Sequence, residues 1–395
     1  MKRFARTVHL WTGLIFGTIL VLQGLTGTVL SWRDELDRWL NPALLQAPPP
    51  AGLQVGDPMR VAPATAQAAL DRLAHEPGYG RPNMLMFPER AGDVFVAWYR
   101  PTPGAAAWKQ PVTRQVMVDP ATLAVTGERN WGEAGLTRPL LLPTLFHLHR
   151  YLMTGDVGKV VVAVEGVALV LAALTGLVAW WPKLTAGAIR AAFTVRHGGS
   201  WPRFSFQLHR AAGFFAAPLF VLAGFSGVSF NMPEWITPGI KAVAPMAPNG
   251  KVSNRSAASS PRLAPQAALE VAQARFPDAR ISRISLPGNP KQPFEIRVHQ
   301  PGELRHGDGA TRISIDAADG AVLRAIDPLR AQGGDKFMSW LFPLHTGEAF
   351  GTAGRAFVSL FGLMPLAFFV TGLVVWLRFR RQPPKLRRVV QAQAS

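Results

Sequence analysis

Four stretches of this chain, 8–30, 160–181, 204–230 and 356–377, are almost free of charge. Each is about as long as a bilayer is thick, since roughly 20 apolar residues in a helix cross a hydrocarbon core of about 30 Å. Inside lipid every backbone N–H and C=O needs an internal partner, so a stretch of this kind has to be a helix. The sequence therefore predicts an integral membrane α-helical bundle of four spans. The first span is expected to be a retained helix and not a signal peptide, because it is long and lacks an A-x-A cleavage site.

Charge orients the spans. Segments 1–8, 183–203 and 378–395 hold 3, 4 and 6 Lys/Arg without an Asp or Glu, so 13 of the formal +18 sits on one side. Short basic flanks stay cytoplasmic, which puts both termini there. The long connections are nearly balanced in charge, as translocated domains are. The basicity thus reports topology in a lipid membrane, and nucleic acid is not an expected partner. With no cysteine, disulfides, iron–sulfur clusters and covalent c-type haem are excluded.

The chain reads as one unit written twice, in parallel. His9, Gly13, Leu22, Gly24 and Gly27 meet His209, Gly213, Leu222, Gly224 and Gly227 at an offset of 200. His149, Gly166, Thr175-Gly176-Leu177 and Trp180 meet His345, Gly362, Thr371-Gly372-Leu373 and Trp376 at an offset of 196. The unit is span, outside domain, span. Each outside domain reads as a helix (65–73, 264–275) followed by short alternating strands such as 94–99 and 294–299, a small α+β domain. The expected organisation is span 8–30, periplasmic domain 31–139, interfacial segment and span 140–182, cytoplasmic loop 183–203 and span 204–230. A second periplasmic domain, 231–336, then precedes interfacial segment and span 337–379 and a basic tail, 380–395.

The H-x-W-x-G-L opening of the first span (His9 to Leu14), the T-G near each span's end, and paired outside domains with an A-x-x-A-L helix and a V-D-P-x-T-G-x-V-like hairpin resemble the PepSY-associated transmembrane family over nearly the whole chain. The outside domains are then PepSY-like. Four-span members resemble inner-membrane ferric-siderophore reductases, which implies two b-type haems in the bundle and a ferric siderophore as substrate.

Depth sorts the histidines. His9 and His209 lie about one turn inside the cytoplasmic ends of spans one and three; His149 and His345 precede spans two and four at the periplasmic level. Intramembrane ionisable residues are functional candidates by default, and two neutral imidazoles on facing helices can close both axial positions of haem iron. Gly13 and Gly213, four residues after His9 and His209, leave room for a ring edge, or serve helix packing. Arg150 and Arg210 are placed to meet haem propionates. His147 is a second candidate ligand behind His149, because its repeat counterpart is Pro343. His75, His197, His299 and His306 read as surface residues. Glu165, the one carboxylate inside a span, is either a proton carrier or a hydrogen-bond partner that orients a ligand histidine. Trp131 and Arg138 are candidates for the substrate pocket by proximity.

The expected activity is transmembrane electron transfer to a periplasmic ferric siderophore, releasing Fe(II) for iron uptake. No nucleotide-binding loop is present, so a quinol or a separate cytoplasmic reductase supplies the electrons. Two alternatives remain: a permease component for iron or siderophore, and a membrane-anchored PepSY binding or regulatory module without redox activity. A haem spectrum that responds to dithionite separates the first reading from both.

Overall fold

The structure is a computed structural model that describes residues 1–99, 106, 108–196, 199–248, 250–255 and 263–381. His197 and the tail from 382 onward lie outside the described residues.

The first half runs α1 (Lys2–Leu30), α2 (Arg33–Leu40), α3 (Pro42–Leu45), α4 (Pro63–His75), β1 (Met84–Met86), β2 (Phe95–Trp98), β3 (Thr113–Val118), β4 (Val125–Trp131), α5 (Arg138–Tyr151) and α6 (Gly155–Trp180). After α7 (Ala186–Phe193), the second half runs α8 (Trp201–Asn231), α9 (Pro233–Val243), α10 (Pro265–Arg275), β5 (Arg280–Ser285), β6 (Phe294–His299), β7 (Thr311–Ile315), β8 (Val322–Ile326), α11 (Gly333–Thr346), α12 (Gly351–Phe361) and α13 (Met364–Arg381). Four segments, Lys2–Leu30, Gly155–Trp180, Trp201–Asn231 and Glu348–Arg378, are long and apolar enough to cross a membrane.

The helices form a ring in which α1 and α8 each touch α6 and α13. Glycines set the closest approaches: a Cβ on Gly224 would sit 2.6 Å from the Gly166 carbonyl oxygen, and one on Gly24 would fall against that of Gly362. Backbones meet this closely only where both partners lack a side chain.

The fourth span departs from the expected continuous helix, breaking at Gly362–Leu363 between α12 and α13. Pro365 has no N–H to continue the ladder, and the Leu363 N–H turns to the Leu360 carbonyl (3.1 Å) in a tighter turn.

The two α+β segments, expected as two domains, meet edge to edge. They share one antiparallel sheet of eight strands in the order β4-β3-β2-β1-β5-β6-β7-β8, joined where β1 pairs with β5, Leu85 against Ile284. Alone, each half would leave a strand edge with unpaired N–H and C=O groups; pairing removes both edges. One core fills one face, with Leu70, Leu73, Phe95 and Val116 from the first half against Leu269, Phe294, Ile296 and Ile313 from the second, beneath α4 and α10. Pro63 and Pro265 stand in the first turns of those helices, where the missing N–H has no helical partner in any case. On the sheet's other face, Val94 and Met117 pack on Leu44 and Leu45 of α3, and Arg129 pairs with Asp37 of α2.

Two paired histidine sites in the helix bundle

His9 on α1 and His209 on α8 face one another with ring centres 5.9 Å apart and planes at 88°. His149 on α5 and His345 on α11 do the same at the sheet-side end, 6.4 Å apart at 67°. The levels are seventeen residues apart along α1, from His9 to Thr26, which contacts His149; at about 1.5 Å per residue that is roughly 26 Å.

The hydrogen bonds fix the chemistry of each ring. His9 Nδ1 lies 2.9 Å from the Ala172 carbonyl oxygen, and His149 Nδ1 lies 3.1 Å from that of Gln23. A carbonyl only accepts, so both rings donate from Nδ1. His209 Nδ1 meets Thr371 Oγ1 at 2.9 Å, His345 Nδ1 meets Ser226 Oγ at 2.7 Å, and Thr26 Oγ1 is 3.0 Å from His149 Nδ1. Each hydroxyl already donates to the carbonyl four residues earlier on its own helix, Thr371 to Ala367, Ser226 to Leu222 and Thr26 to Leu22. Its oxygen therefore accepts from the imidazole. All four rings are Nδ1–H tautomers whose bare Nε2 forms no hydrogen bond among the described residues.

A ring held through Nδ1 with a free Nε2 is the arrangement in which imidazole binds a metal. Two such bonds of about 2 Å each, with the ring atoms behind them, put the ring centres roughly 6 Å apart, as in both pairs. The residues therefore fit a haem iron that would be held between the two rings at each level. The surroundings agree: nothing lies within 4 Å of a Cβ placed on Gly13 or Gly227, and one on Gly213 would meet only Phe368, at 3.7 Å. Near each pair stands an arginine without a carboxylate partner among the described residues. Arg150 reaches the Phe230 carbonyl at 3.5 Å and Arg210 donates to that of Ala191, yet the Nε of each is buried without a partner. Among the described residues no cluster of three or more His, Asp or Glu is built to hold a bare metal ion.

Sequence reasoning missed the side chains that seat the rings. Thr26, Ser226 and Thr371 are buried in otherwise apolar helices, and each is followed by glycine. His149 Cε1 lies 3.2 Å from a Cβ placed on Gly27, His9 Cε1 3.0 Å from one on Gly176, and His209 Cε1 3.4 Å from one on Gly372. The repeated T-G and S-G dipeptides were the available signal: the hydroxyls of Thr26, Ser226 and Thr371 accept from the rings, and Gly27, Gly176 and Gly372 clear space for them.

His147 is not in the sheet-side pair. It is buried, its Nδ1 donates to the Pro143 carbonyl of its own helix at 2.8 Å, and its ring lies among Trp131, Phe146 and Tyr151. Burial holds its pKa below the usual histidine value. Glu165 does not orient a ligand: it is 2% exposed, both oxygens lack partners, and every ring Nδ1 is taken by another group. Trp131 joins the aromatic cluster and packs on Trp98, whereas the Arg138 side chain is exposed and only its carbonyl is used, by Asn41.

Removing a seating hydroxyl tests this geometry. Ser226→Ala and Thr371→Val should each lower haem affinity by about 10- to 100-fold, the usual cost of losing a group that orients a metal-bound histidine, measured by haem titration of stripped protein.

Comparison with curated proteins finds no match. The family profile described as the PepSY-associated TM region matches residues 6–378, covering all four apolar helices, both histidine pairs and the whole sheet, and the chain belongs to that family.

Proposed function

We propose that the protein is an inner-membrane reductase that carries electrons across the bilayer to a ferric siderophore in the periplasm, holding one b-type haem between His9 and His209 and another between His149 and His345. The observation that carries this reading is the set of four Nδ1-anchored rings, paired at two levels with ring centres 5.9 and 6.4 Å apart, a spacing that suits a shared iron. When bound, haem supplies one-electron redox chemistry at each level.

The chain's residues do the rest. Threonine and serine hydroxyls and helix carbonyls fix the tautomer of each ligand. Arg150 and Arg210 offer unpaired cationic groups to propionates. The two levels, roughly 26 Å apart along α1, divide a core of about 30 Å that one centre could not bridge efficiently. With the basic segments cytoplasmic, the sheet lies in the periplasm, over the exit-side pair. Reduction of Fe(III) to the softer Fe(II) weakens its hold on hard oxygen ligands and releases it. A quinol or a cytoplasmic reductase supplies the electron.

The test uses purified protein reduced by dithionite and freed of excess reductant, then mixed with a ferric siderophore in the presence of an Fe(II)-trapping dye. The expected result is reoxidation of the haem spectrum with stoichiometric trapped Fe(II). A haem spectrum unchanged by the chelate refutes the reductase reading.

A further inference from the structure

On the sheet face opposite α4 and α10, three arginines stand side by side across three strands. Arg283 of β5 pairs with Arg297 of β6, and Arg297 pairs with Arg312 of β7. Neighbouring strands are about 4.8 Å apart, and like charges directly opposite one another destabilise a sheet. A fourth, Arg305, lies on the loop that joins β6 to β7. Among the described residues a single carboxylate is within salt-bridge distance: Asp308, 3.3 Å from Arg283 and 3.9 Å from Arg297. Glu295 lies on the same face and attracts Arg312 without forming a salt bridge. Four guanidiniums thus share one paired carboxylate.

Their hydrogen bonding is incomplete. The Nε atoms of Arg283 and Arg297 are buried without partners, and so is that of Arg324 on β8. Burial and the neighbouring Arg283, Arg312 and Arg305 push the Arg297 pKa down to about 9. A fold that only needed to be stable would not gather these groups here.

The cluster is also directed at the sheet-side histidine pair. Arg305 lies over the Phe342 ring at 4.1 Å, Phe342 touches Phe230 (5.9 Å between centres), and Phe230 touches His345 (5.4 Å). The loop carrying Arg305 and Asp308 is pinned to the same place, since the His306 N–H donates to Glu348 at 3.0 Å. Asp308 also attracts Arg33, whose guanidinium lies 5.6 Å from the Phe146 ring in the aromatic cluster beside His149.

We propose that Arg283, Arg297, Arg305 and Arg312 form an anion-binding platform that selects multiply anionic, carboxylate-bearing ferric chelates and holds them over the His149/His345 level. That the bound chelate is an electron acceptor rests on the reductase reading, but the platform itself is a binding site defined by its own residues. Guanidinium forks match carboxylates bidentately, and incompletely satisfied donors gain most from an incoming anion.

The experiment is calorimetric titration of the full-length protein in detergent with two redox-inert probes, anionic Ga(III)–citrate and cationic Ga(III)–desferrioxamine B. Ga(III)–citrate should bind with an affinity that falls steeply with salt, and Arg297→Gln combined with Arg312→Gln should weaken it by at least ~10-fold. The Arg297→Lys, Arg312→Lys pair, which keeps the charge but not the fork, should lose less affinity than the Gln pair and keep the salt dependence, and thermal midpoints equal to the parent's in both variants show that a loss is not misfolding. Equal affinity for both probes, or unchanged Ga(III)–citrate affinity in the Gln variant, overturns the proposal. So does loss of co-purifying anionic phospholipid with unchanged chelate affinity, which would assign the cluster to a lipid headgroup. Gallium is not reduced, so the two readings fail separately: a colourless protein that binds Ga(III)–citrate sinks the reductase and keeps the platform, and a haem protein that reduces chelates of either charge equally does the reverse.

Discussion

His149→Ala should halve the haem content, from two per chain to one, and slow ferric-chelate reduction by at least about 10-fold, the lower end of what losing even a supporting group costs a metal site. The ring of His149 is held by Gln23 and Thr26 and faces His345 at 6.4 Å, so truncation leaves one imidazole opposite a void. His345→Ala should behave alike. His147→Ala is the informative contrast. Its ring belongs to an aromatic cluster and its Nδ1 is tied to its own helix, so that variant should keep both haems and lose only packing. Haem per chain by pyridine haemochromogen, alongside chelate reduction rates, reads all three. Two haems in His149→Ala together with one in His147→Ala would reverse the ligand assignment.

The largest stability effect is expected where the sheet grips the bundle. Arg129 on β4 and Asp37 on α2 form an ion pair at 2.9 Å whose side chains are 6% and 10% exposed. Arg129 also donates to Gln115 at 2.7 Å and to the Pro139 carbonyl at 3.3 Å, and Asn41 links Asp37 to the Arg138 carbonyl. The pair thus fixes the start of α5, the helix that carries His149. Burial lowers the Arg129 pKa while Asp37 raises it, so the guanidinium depends on its partner. Asp37→Ala strands a buried charge and should cost about 3–5 kcal/mol, seen as a lower thermal midpoint of the detergent-solubilised protein. The double variant Arg129→Met, Asp37→Leu removes both charges and should recover most of that loss. Equal destabilisation in the single and double variants would show that the pair is not the cause.

The spans and the histidine pairing were legible in the sequence because both rest on simple periodic signals. Charge-free windows of bilayer length announced helices, and two offsets aligned His9 with His209 and His149 with His345. The strands were half legible. β2 and β6 alternate cleanly in burial, β3 and β7 are buried along most of their length, β1 is only Met-Leu-Met, and β5 carries a register shift between Ile281 and Arg283 that breaks its alternation. That omission hid the joining of the two halves, since β1 and β5 are the strands that meet. The break in the fourth span was written in Pro365, but a proline in a membrane helix also kinks without breaking it: α8 runs unbroken past Pro218. The arginine platform was illegible because Arg283, Arg297 and Arg312 are far apart in sequence and only strand register aligns them.

The most direct test of the central claim is haem stoichiometry with low-temperature electron paramagnetic resonance on the oxidised, haem-replete protein. Paired imidazoles at two levels predict two b-type haems per chain, both low-spin with bis-imidazole signals, and loss of one signal in His209→Ala with the other retained. A colourless chain, or haem bound without nitrogen ligation from both halves, would contradict it.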